Sequence, residues 1–144
     1  MSTDYLARLA ELDDRSARLF AADCAEDVLP LFEAEFPTDP RPRHAIDVAR
    51  QFAVGEATKE ELAAAHDAAH GAAHGADYYW TLSLTPEASD AADAAFAAYY
   101  ATDQSAPTAA TESAFYAALA ALRDSERAWQ EARLNHYLAL EGSK

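Results

Sequence analysis

Residues 58–75 read TKEELAAAHDAAHGAAHG, and how they are read decides the fold. Thr58 with Glu61 three positions later is a capping box, in which hydroxyl and carboxylate each satisfy one amide that the first helical turn leaves over. It is the clearest helix start in the chain. Behind it come alanines, the best helix formers, with His66, His70 and His74 four apart on one face. The spacing predicts a helix from Thr58 that ends near Gly75. The same composition fills the rest of the chain: roughly a quarter of the residues are alanine, and Val28, Ile46, Val48 and Val54 are the only valines and isoleucines. That scarcity of β-branched residues argues against a sheet core.

Working outward, punctuation marks further helices. Thr3 or Asp4 caps a first segment carrying Leu6, Leu9 and Leu12. A second runs from about Asp14 to Glu35, with Phe20, Cys24, Val28, Leu31 and Phe32 near a 3.6 period; Pro30 lies inside it and is expected to kink or restart it. The proline cluster FPTDPRPRHA, with Pro37, Pro40 and Pro42, reads as an extended connection, because residues before proline avoid helical angles. Pro42 suits the first turn of a third helix, with Ile46, Ala49 or Arg50, and Ala53 inward and Gly55 as a left-handed cap. DYYWTLSLT (77–85) reads as a packed aromatic connection with a short helical turn. Thr85-Pro86-Glu87 opens a helix to about Tyr100. TDQSAPT (102–108) is a loop, and a last long helix, Thr108 to Leu140, buries Phe115, Leu119, Leu122, Trp129 and Leu140 and stops at Gly142. The expectation is an all-α fold, one domain over 1–144, a bundle of five to seven helices with a proline-broken connection near 37–42.

The 144 residues carry a formal charge of −14, and Lys59 and Lys144 are the only lysines. Such an excess repels nucleic acid and anionic membrane; it is compatible with a basic protein partner and equally with a chain that merely stays soluble. Cys24, the sole cysteine, has no second thiol in the chain and no cationic activator beside it, so it reads as a small buried hydrophobe. The opening MSTDYLARLAELDD lacks the basic start and apolar core of a secretory signal. No apolar run approaches the roughly 18–20 residues a membrane span needs. A soluble, cytoplasmic protein is expected.

The histidine stripe is the stretch most like chemistry. His66 and His70, or His70 and His74, are close enough to share an ion; His66 and His74 stand about 12 Å apart along the axis, too far for ligand bonds near 2 Å. HDAAH resembles the HExxH zinc helix, but Asp67 is one methylene shorter than its glutamate and no third ligand follows at a recognisable spacing. The preferred reading is packing, with imidazoles filling space between alanine-rich helices, their nitrogens satisfied by carboxylates, and Gly71 and Gly75 admitting a neighbouring helix. A metal protein using His66, His70 and His74 is the alternative. Serine elbow, glycine-rich phosphate loop and cysteine–histidine constellation are all missing from the sequence, so neither an enzyme nor a cofactor is expected.

Two stretches carry a resemblance. AADCAEDVLPLFEAEFPTDPRPRHAIDVARQFAVGEATKEELAAAHDAAHGAA (21–73) resembles the bacterial immunity-protein-five-like family through ADCAExVLPLFE, the proline-broken DPRPRxAIxxAR and the VGE turn before an alanine–histidine helix. ERAWQEARLNHYL (126–138) is similar to the closing helix of such proteins. The resemblance implies a helical, cytoplasmic protein that binds and neutralises a toxin of a polymorphic toxin system. Its motif residues have a structural reading: Asp39 pairs with Arg41 or Arg43 across the proline turn, and Arg50 binds carbonyls at the end of the kinked helix. Exposed acids near helix ends, Asp23, Glu26, Asp27, Glu60, Glu61, Asp90 and Asp93, are the candidate surface for a basic toxin. A third reading is a homo-oligomer joined through Tyr78–Tyr79, Tyr99–Tyr100 and Trp80.

Overall fold

Helix α2, Asp14–Glu35, supplies more of the large buried side chains than any other helix. Asp13 caps it, its carboxylate accepting from the Ser16 amide at 2.8 Å. The protein is described here by a computed structural model covering residues 3–121 and 124–142. These residues form seven helices and no strand: α1 Thr3–Ala10, α2, α3 Arg41–Ala53, α4 Lys59–Ser83, α5 Pro86–Ala101, α6 Ala106–Ala121 and α7 Asp124–Gly142. Helices α2, α5 and α6 pack on one another; α4 lies along α5, α3 bridges α2 and α4, and α1 and α7 lean against α6.

The core divides its labour. From α2 come Phe20, Val28, Leu29 and Phe32, all fully buried. Every buried residue of α5 is alanine, and those of α6 are alanine plus Ser113. Side chains this small let backbones come close, so contact is made where branched residues would hold helices apart. The Ser113 hydroxyl uses that closeness and donates to the Ala97 carbonyl at 2.9 Å. Buried Gln130 on α7 accepts from the Tyr5 hydroxyl of α1 at 2.9 Å and donates to the Ala114 carbonyl of α6 at 3.0 Å.

The capping box forms as read, Thr58 Oγ1 accepting from the Glu61 amide and Glu61 Oε1 from the Thr58 amide, both at 3.0 Å. Thr85 caps α5 with Pro86 in its first turn, and Gly55 has φ +81°. Four expectations are corrected. Helix α4 does not stop near Gly75 but continues to Ser83, taking in most of the stretch read as an aromatic connection. Neither Gly71 nor Gly75 leaves negative φ, and buried Ala72, Ala73 and Ala76 keep the helix seated in the core alongside α5. Pro30 does not restart α2; it faces solvent, which can serve the carbonyl its ring leaves without a donor. The proline connection is a compact turn at Pro37–Thr38 rather than an extended link, closed by the Asp39 amide on the Phe36 carbonyl at 3.2 Å.

The stretch expected to be one long last helix is two helices, α6 and α7. Phe115 and Leu140, expected to be buried, are exposed. Leu122 lies outside the described residues.

Candidate functional site

The motif residues converge on an ion network where α2, α3 and α7 meet. Asp23 is buried, not exposed as expected, because three donors close on it: Arg50 Nη2 at 2.9 Å, Arg133 Nε at 2.9 Å and the Tyr137 hydroxyl at 2.6 Å. Arg50 also grips exposed Glu26 at 2.8 Å. It therefore binds carboxylates rather than carbonyls. The carbonyl-binding role falls to buried Arg18, which donates to the Ala101 carbonyl at 2.9 Å and the Gln104 carbonyl at 3.3 Å just past α5. Arg41 makes a two-pronged pair with Asp39 at 2.9 and 2.8 Å, and Arg43 makes one with Glu33 at 2.9 and 3.0 Å. These bonds hold both carboxyls below their ordinary range. Burial and the Asp23 carboxylate push the Tyr137 phenol up. Acids and cations here satisfy each other, so the network's role is to fix three helices together.

The histidine stripe opens onto a different surface. His66 is half-buried; its Nδ1 stands 3.1 Å from Thr102 Oγ1 and 3.2 Å from the Tyr99 carbonyl. The Thr102 hydroxyl already donates to that carbonyl at 2.7 Å, so Nδ1 is the donor to both oxygens. His70 and His74 are exposed, with ring centroids 4.1 Å apart. The expectation that all three fill space against carboxylates is thus corrected: one is seated on a hydroxyl and a carbonyl, two face outward. Gly71 admits not a helix but the Arg41 guanidinium, to which a Cβ there would come within 2.9 Å, and Gly75 has open space over it.

From the stripe a sheet of rings crosses α4, α5 and α6. His66 stacks on Tyr99 at 4.2 Å, Tyr99 meets Tyr100 at 4.8 Å, and Tyr100 stacks on Tyr116 at 5.3 Å. Tyr116 stacks on Phe96 at 5.3 Å, and Phe96 returns to His74 at 5.7 Å. These phenylalanine and tyrosine rings are half-buried, with exposed Phe115 against Tyr116 at 5.4 Å. They are packed and yet present a rigid amphipathic surface, the composition that protein interfaces favour.

Acids border this surface, and of them Asp103 has the Arg18 guanidinium close enough to interact with it. From residue 60 to residue 122 the sequence has nine aspartates and glutamates and no lysine or arginine. Nine of the fourteen net negative charges therefore fall in less than half of the chain. Asp93, half-buried on α5, is pushed up to about 6 by burial and then by Asp90 and Asp77. Asp90 is raised by burial and by Glu87. Burial and Asp103, Asp67, Glu112, Asp93 and Asp77 raise the phenols of Tyr99, Tyr100 and Tyr116. Burial first, and the neighbouring acids second, thus hold Asp90 and Asp93 above their ordinary range.

The candidate acids separate accordingly. Asp90 and Asp93 lie at this face but are half-buried; Asp23 and Glu26 belong to the ion network; Asp27 is half-buried on α2; Glu60 and Glu61 are exposed at the start of α4, Glu61 being engaged in its cap. Asp67, Asp77, Asp103 and Glu112 were missed. The signal that could have found them is the 63-residue run free of lysine and arginine. Among the described residues, no group of three or more histidine, cysteine, aspartate or glutamate side chains is arranged to hold a metal ion, and no helix is long and apolar enough to cross a membrane.

No curated protein and no solved structure matches the chain at a significant level. The family described as "Imm-5 like putative immunity protein" matches residues 7–137. That span takes in the ion network from Asp23 to Tyr137 and the whole acidic, aromatic face, and the chain belongs to this immunity-protein family.

Proposed function

We propose that this protein is a non-enzymatic inhibitor that binds a cationic toxin through the acidic, aromatic face of α4, α5 and α6 and blocks it by occlusion. The observation that carries the reading is the pairing, on one surface, of half-exposed rings with clustered carboxylates, of which Asp90 and Asp93 are raised by burial first and by neighbouring acids second. Rings give contact area at low entropic cost, and clustered acids steer a basic partner and strengthen when it neutralises them. Membership of an immunity-protein family supports the same reading. The charge also disfavours the homo-oligomer, since two copies meeting through this face would bring like charges together.

Co-expression with the product of the neighbouring gene tests it. That product is expected to arrest growth alone and to be neutralised by this chain. Exchanging Asp77 and Asp93 for lysine is expected to abolish rescue in a protein that still folds. A neighbour harmless by itself, or a toxic one that this chain does not counter, would contradict the proposal.

A further inference from the structure

The corner between α4 and α5 is built against its own stability. Residues 80–87 are all exposed, so the last turn of α4 projects beyond the helices beside it. On this end of α4 and its cap stand Tyr78, 67% exposed, Leu82, 70%, and Leu84, 73%, with Trp80 at 37%. Tyr78, Tyr79, Leu82 and Ser83 line an open hollow of about 370 Å3. Leu84 closes the helix at φ +55°, the only positive φ on a non-glycine residue among those described. Glycine or asparagine takes that left-handed position readily; a leucine there crowds its Cβ against backbone. A turn needing only to reverse the chain would not place a large apolar side chain at a strained angle in water. Strain and exposed apolar surface at one residue are joint marks of a contact made with something else.

We infer that Tyr78, Leu82 and Leu84 form an apolar anchor that enters a cleft of the inhibited protein, one whose rim carries lysine or arginine. The rim follows from charge: Asp77 precedes the anchor, Glu87 and Asp90 follow it, and Asp77 is close enough to Asp93 to raise it, so the corner continues the acidic face. A second copy of this chain would bring the same acids against themselves and is the disfavoured occupant. The inference rests on the proposed toxin-binding function and names the residues that would dominate it.

Leu84→Gly separates a docking role from a structural one, because glycine relieves the left-handed strain while removing the side chain. The variant, and Leu82→Ser beside it, are compared with wild type for melting temperature, mass in solution and affinity for the neighbour-encoded toxin. The expected result is a monomer whose melting temperature does not fall with Leu84→Gly, and a loss of affinity of at least about tenfold for each variant. Unchanged affinity, or a lower melting temperature for Leu84→Gly, overturns the anchor. So does a wild-type dimer that either substitution dissociates. Absence of wild-type binding counts instead against the functional reading, whereas intact wild-type binding with indifferent variants counts against the anchor alone.

Discussion

At the junction of α2, α3 and α7, Asp23 is met by two guanidiniums and a phenol, whereas on α5 the neighbours of Asp93 are Asp90 and Asp77. Both carboxyls are withdrawn from water to some degree. One is surrounded by groups that favour its charge, the other by groups that oppose it. The difference teaches where this acidic chain uses charge to fold and where it keeps charge in reserve. The first region holds helices distant in sequence, linking residue 23 to residues 50, 133 and 137. The second costs the folded state energy that an arriving cationic surface would return.

Asp23→Asn strikes the first region hardest. It leaves Arg50 and Arg133 facing a neutral amide at a largely buried point, and a loss of about 3 kcal/mol is expected in denaturant unfolding. A change below about 1 kcal/mol would mean that the network is ornamental. Asp93→Asn strikes the second region in the opposite direction. Its pKa is raised from 3.8 to about 6 in the folded protein, so between about pH 4 and pH 6 the folded state binds more protons than the unfolded one. The contribution of Asp93 to stability therefore falls as pH rises through that window and stays low above it. The amide variant is expected to gain about 1–2 kcal/mol at pH 7 and nothing at pH 3.5, read from denaturation curves at the two pH values.

The smallest effect belongs to Arg43→Ala. Its partner Glu33 is held down in pKa by the two-pronged bond, so the pair contributes above the ordinary carboxylate range and is lost as pH falls through the lowered value. Both side chains are more than a third exposed, and a loss of no more than about 1 kcal/mol is expected. A larger one would show the outer part of the network to matter as much as Asp23.

Much of this contrast could be read from the amino acids alone, and the rest had physical reasons for staying hidden. Thr58 with Glu61 and Thr85 with Pro86 marked two helix starts within a residue, since caps are local chemistry. The end of α4 was missed because Gly75 resembles a stop, while what carries the helix past it is packing by Ala72, Ala73 and Ala76 against other helices. The burial of Asp23 was missed because its partners come from 27, 110 and 114 residues away. The family was legible in 21–73 and 126–138, the two stretches whose residues build the ion network, and the match extends to 7–137. The acidic face was legible too, but in what the sequence withholds between residues 60 and 122 rather than in any motif it displays.

The most direct test of the contrast is the salt dependence of toxin association for wild type, Asp90→Asn/Asp93→Asn and Glu26→Gln/Glu33→Gln. Neutralising Asp90 and Asp93 is expected to slow association about tenfold at low salt and to flatten its dependence on ionic strength, while raising thermal stability. Neutralising Glu26 and Glu33 is expected to leave association within about twofold of wild type. Association insensitive to the α5 acids and abolished by the α2 pair would place docking on the other side of the molecule and contradict the account.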